Sequence, residues 1–97
     1  MRYRIELAPQ AVEDLRRLRA HDRAQVRDAV DSHLRHEPKK TSKTRIKRLR
    51  GVSKPEYRLR VGDLRVFYDV VKRKVQVLAI VAKADAETWL SKAGGKS

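Results

Sequence analysis

The chain has 97 residues, 25 of them Lys or Arg against 12 Asp or Glu, for a formal net charge of +13. That length suits one domain with one core and leaves little volume for a deep small-molecule cavity, so no small-molecule substrate is expected. The excess positive charge predicts an acidic partner, whether nucleic acid, anionic membrane or acidic protein. The absence of cysteine excludes a disulfide framework and a thiolate metal site.

Met1-Arg2-Tyr3-Arg4 leads into no long apolar run, so neither a signal peptide nor a membrane span is expected, which favours the cytoplasm. Tyr3, Ile5 and Leu7 alternate with Arg4 and Glu6, a first strand with one buried face. Pro9 suits the first turn of a helix, and Ala11, Leu15 and Leu18 form its apolar stripe, with Val12 beside them. Asp22, with Gln25 three residues on, reads as the N-cap of a second helix. Val26, Ala29, Val30 and Leu34 share one side of that helix, which ends before Pro38. The short join predicts an antiparallel helical hairpin. His33 and His36 are neighbours on this helix. They are an acid/base pair by spacing, or more simply a helix-end cap and an exposed side chain. No third ligand accompanies them, and no metal is expected.

From Lys39 to Arg50, seven of twelve residues are Lys or Arg and none is acidic. Lys43, Arg45, Lys47, Arg48 and Arg50 are candidates for RNA contact there. The segment 39–44 reads as a loop, and Arg45 to Leu49 as a second strand ending at Gly51. Ser53-Lys54-Pro55 is turn-like. In the third strand, Glu56 to Val61, Tyr57, Leu59 and Val61 face one way and Arg58 and Arg60 the other. Gly62-Asp63 makes a tight hairpin. The fourth strand, Leu64 to Val71, is apolar on both faces and is expected at the centre of the sheet. Its Arg65 lies near Arg58 and Arg60, so two adjacent strands gather three guanidiniums into an anion site, with phosphate the expected anion.

Val75 to Val81 is a fifth strand. Asp85 is placed to cap a last short helix, docked by Ala86, Trp89 and Leu90, and residues 93–97 are expected to fray. Tyr57 and Tyr68 are expected to pack in the sheet with their hydroxyls at its rim, and Asp63 to pair with Arg65 or another arginine. The order β-α-α-β-β-β-β-α predicts an α+β fold, a single domain over residues 1–97. An antiparallel twisted sheet carries the helical hairpin on one face, and its other face, where the arginines emerge, stays partly open.

The ordered set Ala11-x-x-Asp14-Leu15-x-x-Leu18, Lys47-Arg48-Leu49-Arg50-Gly51 and Glu56 through Tyr68 resembles the RelE/ParE superfamily of bacterial toxins from type II toxin–antitoxin modules, with the RelE branch favoured. The resemblance covers nearly the whole chain. It implies a ribosome-dependent mRNA endoribonuclease that inhibits translation. A 2′-hydroxyl attacks the adjacent phosphate, and basic side chains stabilise the charge. By position, the resemblance implies catalytic roles for Arg58, Arg60, Arg65 and Lys83, and it matches Arg50 to the branch's Leu-Arg-Gly arginine. It implies no cofactor.

Two positions depart from that branch. Ala84 stands where an arginine follows the lysine of the last strand, and Leu90 where a tyrosine follows. Arginine steadies a phosphorane but is a poor general base. A ParE-like toxin that poisons DNA gyrase without cutting RNA is therefore the alternative, and a catalytically degenerate basic RNA-binding module is a third. The resemblance also implies a cognate antitoxin, and the surface chemistry suggests an acidic, partly disordered segment that folds as it binds. Ribosome and mRNA complete the expected partners.

Overall fold

The computed structural model describes residues 2–51 and 54–93. Strand β1 (Arg4–Leu7) leads into helix α1 (Pro9–Arg17) and helix α2 (Ala20–Ala29), which continues as a π-helical turn, Val30–Leu34. Strands β2 (Ile46–Arg48), β3 (Tyr57–Val61), β4 (Leu64–Val71) and β5 (Lys74–Ala82) follow. A 3₁₀ turn, Lys83–Asp85, then enters helix α3 (Ala86–Ala93). Ser53 of the expected turn, and residues 94–97 of the expected frayed end, lie outside the described residues.

The sheet runs in the order β1-β5-β4-β3-β2, which puts β4 at the centre, as its two apolar faces require. Strands β2 to β5 pair antiparallel. Strand β1 instead runs parallel to β5, with Arg4 opposite Lys74 and Leu7 opposite Val77, so the sheet is mixed rather than wholly antiparallel. A helical hairpin and three strands separate the two, and no tight turn forces them antiparallel.

Ala11, Val26 and Leu34 from the helices cluster with Leu59, Val66, Tyr68, Val75, Val77 and Ile80 from one face of the sheet. Strict alternation would pair Val77 with Ala79 on that face. A bulge prevents it. Phe67 pairs with Ala79 but Tyr68 pairs with Val77, leaving Leu78 as the extra residue. The strand is thereby re-aimed, so Ile80 joins the helical core while Ala79 turns with Phe67 to the other face. Beyond the bulge, the Ile80 amide donates to Asp14 Oδ2 of α1 at 2.9 Å, which pins the helix to the strand.

The start of α2 differs from expectation. Arg19 takes the N-cap position without a side-chain cap, and Asp22 lies inside the first turn rather than at the cap, where its charge still suits the helix dipole. The cause is a clamp from the other side. The Arg23 guanidinium donates to the carbonyls of Leu18 at 2.8 Å and Leu15 at 3.4 Å, satisfying the end of α1 and shortening the link to two residues.

Tyr57 and Tyr68 pack in the sheet as expected, and the Tyr68 hydroxyl is what departs. Both are buried on the helical face, their rings stacked with centroids 5.4 Å apart. The Tyr68 hydroxyl is not at a rim; it donates to the Pro38 carbonyl at 2.6 Å. A buried phenol needs such a partner, and the bond fastens the loop after α2 to the central strand.

Candidate functional site

The face of the sheet away from the helical hairpin carries the charge. Gly62, at φ +58°, permits the tight β3–β4 turn. That turn sets a register in which Arg60 stands opposite Arg65 and Arg58 opposite Phe67. On the next strand out, Lys47 stands opposite Arg58. Cross-strand neighbours on one face lie about 5 Å apart at Cβ, so Lys47, Arg58, Arg60 and Arg65 form one patch. The three arginines read as a cluster in the sequence are brought together.

Their environments are not alike. Arg60 is exposed, whereas Arg65 is only 6% exposed. Arg65 Nη1 donates to the carbonyls of Gly62 and Leu64, each at 2.9 Å. It therefore braces the hairpin from which it springs. The expected pairing of Arg65 with Asp63 is not made: among the described residues its bonds go to backbone. The Asp63 carbonyl is taken by the Lys83 amide at 2.8 Å, a backbone bond that keeps candidate Lys83 at the hairpin end of the patch.

Arg58 is half-buried, and its Nε is sequestered with no hydrogen-bond partner. Burial first, then the positive charges of Arg65 and Arg60, pull its pKa below the ordinary arginine value. This guanidinium sits in a field of like charge. An oxyanion arriving here gains charge-assisted hydrogen bonds and relieves that repulsion.

Two features of this face are not what the sequence suggests, Asp69 reading there as a strand-edge charge. Asp69, 2% exposed, is a buried carboxylate on β4. Its Oδ1 accepts from the Glu56 amide at 2.7 Å, and its Oδ2 lies 3.7 Å from Lys54 Nζ, beyond hydrogen-bond distance. An acid within the otherwise apolar run Val66-Phe67-Tyr68-Asp69-Val70 was the available signal. In addition, Trp89 of α3 stacks on Phe67 with centroids 4.8 Å apart, and its Nε1 donates to Gln10 Oε1 at 3.3 Å. Trp89 docks the last helix as expected, but against the arginine-bearing face.

The basic segment divides around β2. Lys47 faces the arginine patch, whereas Arg48 pairs with Tyr57 and lies over its ring, 5.6 Å from the centroid, a cation–π contact on the helical side. Arg50, with Lys47 and Arg48, lines an open groove beside residues 41–51. Lys43 is exposed in the preceding loop. Arg45 belongs to a separate cleft beside His33. Among the described residues no cluster of His, Asp or Glu suits a metal ion, and no helix is long and apolar enough to cross a membrane.

Residues 5–86 match the family described as ParE toxin of type II toxin-antitoxin system, parDE. No curated protein matches the chain. Several solved structures do. The archaeal RelE–RelB complex of Pyrococcus horikoshii contains a chain 28% identical, with a TM-score of 0.70 over 86% of this chain and 97% of that one. A chain of the RelBE2 toxin–antitoxin complex of Mycobacterium tuberculosis is 23% identical, with a TM-score of 0.66 over 84% and 99%. The toxin RelE of Escherichia coli, a doubly substituted form in the free state, is 21% identical, with a TM-score of 0.69 over 92% of each chain. The latter two show likeness of fold.

Proposed function

This chain belongs to the ParE toxin family of type II toxin–antitoxin systems, and from that membership we propose that it is a RelE-like endoribonuclease that cuts mRNA on the ribosome. One observation carries the choice of branch: Arg58 and Arg60 of β3, Arg65 of β4 and Lys47 of β2 share one sheet face. That is a surface for a phosphodiester. The exposed Arg60 fork takes the phosphate oxygens, and the half-buried Arg58 guanidinium adds its charge, so both stabilise the extra negative charge as a 2′-hydroxyl attacks phosphorus. Arg65 holds the hairpin that positions Arg60 and adds its charge to the field. Lys83 is the group assigned to proton transfer, at the hairpin end of the same face.

The partners follow from this reading. Solved relatives include toxins crystallised with RelB antitoxins, and a cognate antitoxin is assigned to this chain too, as an acidic, partly disordered segment drawn to the basic face. The chain acts as one cytoplasmic toxin domain, with ribosome and mRNA as its target.

A second reading has its own support. The matching family is described as ParE toxin, and Ala84 and Leu90 stand at the branch's arginine and tyrosine positions. A ParE-like gyrase poison needs neither. In-vitro translation with primer extension on the mRNA separates the two. Cleavage within ribosome-bound codons supports the nuclease. Intact mRNA with gyrase-dependent DNA breaks overturns it in favour of the gyrase poison, and neither effect leaves a basic RNA-binding module.

A further inference from the structure

On the helical side of β2 lies a cleft of about 200 Å³, lined by Ser32, His33, Glu37, Lys40, Ser42 and Arg45 among others. We infer that this cleft is a second phosphate-binding site, filled by a backbone phosphate of the RNA whose scissile phosphate lies at Arg58 and Arg60. The RNA as source rests on the nuclease reading above; the phosphate chemistry rests on the cleft alone.

The donors come from three pieces of chain. The π-helical turn Val30–Leu34 carries Ser32 and His33; such turns are rare and recur at functional sites. Lys40 comes from the loop, 3.9 Å from Glu37 in an exposed pair that a stronger anion displaces at little cost. Arg45 enters β2 and makes no ion pair among the described residues. Ser42 Oγ accepts from the amides of Arg45 at 2.9 Å and Ile46 at 3.4 Å. Its lone pairs are therefore occupied, and its proton is directed outward as a donor.

Against Arg45, Lys40 and His33 the lining sets one carboxylate, Glu37, so the cleft is net positive. His33 registers this. Burial first, then the Arg45 charge, hold its pKa below the ordinary 6.5. A bound phosphate reverses the second effect and raises the pKa again.

The cleft also lies on a route. The Arg45 carbonyl accepts from the Arg60 amide at 2.9 Å, and Lys47, opposite Arg58, is only about 7 Å further along the strand. A single strand that passes over the β2 edge reaches both sites.

NMR titration of the three imidazoles tests this, with His21 and His36 as references. The probes are inorganic phosphate and a short RNA made uncleavable by 2′-O-methylation. The expected result is a rise of the His33 pKa by about one unit with either probe, lost in Arg45→Ala, and RNA affinity that strengthens as pH falls through the His33 range. Glu37, the carboxylate in the cleft, serves as the control through Glu37→Gln, which keeps the pH dependence. A His33 pKa moved by phosphate and not by RNA overturns the RNA assignment. A His33 pKa moved by neither overturns the site. The readout needs no cleavage, so it stands or falls apart from the nuclease assay.

Discussion

The Asp14 carboxylate, on α1, accepts the Ile80 amide hydrogen bond across 66 residues of sequence, beside the bulge at Leu78. Without it, a strand amide just past a break in the ladder has no acceptor, and an unmet buried donor costs about 1–3 kcal/mol. Asp14→Ala is expected to destabilise the chain by that amount, and Asp14→Asn, which keeps an acceptor oxygen, by less. Urea unfolding midpoints of the two variants check the order.

Tyr68 is expected to make stability fall at alkaline pH. Burial, and to a lesser extent Tyr57, push its pKa well above the ordinary 10. The folded phenol therefore keeps its proton where the unfolded chain releases it. The unfolded state then binds fewer protons, so the contribution is full below about pH 10 and declines as pH rises above it. Tyr68→Phe is expected to flatten this decline and, by orphaning the Pro38 carbonyl, to cost about 1–3 kcal/mol at neutral pH. Denaturant titrations from about pH 8 to about 11 distinguish the two effects.

Arg60 and Arg65 face each other yet are expected to fail differently. Arg60→Ala removes an exposed donor, so stability changes by no more than about 0.5 kcal/mol while cleavage falls about 100-fold. Arg60→Lys keeps the charge, loses the fork and falls between. Arg65→Ala removes two charged hydrogen bonds to backbone and costs about 1.5–3 kcal/mol of stability along with toxicity. Thermal unfolding and growth inhibition, measured on each variant, separate a binding group from a brace.

On the proposed reading RNA is held through its phosphates, so RNA affinity is expected to fall steeply with salt. Each phosphate contact to a single strand adds about 0.7 to the slope of log affinity against log salt. Lys47→Ala is expected to lower that slope by about one contact. Anisotropy titrations of a nonspecific RNA at several salt concentrations measure it, and a flat dependence defeats the reading.

Much of this was legible in period and composition. Two-residue alternation in Tyr57 to Val61 placed Arg58 and Arg60 on one face, and the doubly apolar β4 announced its central place. The order of elements and the α+β class followed from the same patterns. What stayed hidden depends on long-range geometry. The Leu78 bulge lies inside a continuous apolar run, where alternation carries no sign of it. The parallel pairing of β1 depends on where a distant strand comes to rest. Arg65 reads like its neighbours in sequence, and only the hairpin's own carbonyls reveal it as a brace. Asp22 satisfied the local rule for a cap, but Arg23, reaching back to Leu18, decided where the helix begins.

The pairing of β1 with β5 sets the order in which a nascent chain can mature. Arg4 finds Lys74, and Leu7 finds Val77, only after some seventy further residues have been made, and β1 has no other strand beside it. The Asp14–Ile80 bond waits equally long. During synthesis the helical hairpin emerges with no sheet to cover, and Arg58, Arg60 and Arg65 emerge before the strand that backs them. A chain that stops short of β5 therefore leaves β1 unpaired and one edge of β4 bare. The arginine face on the β3–β4 hairpin gains its supporting neighbour only when β5 pairs with β4.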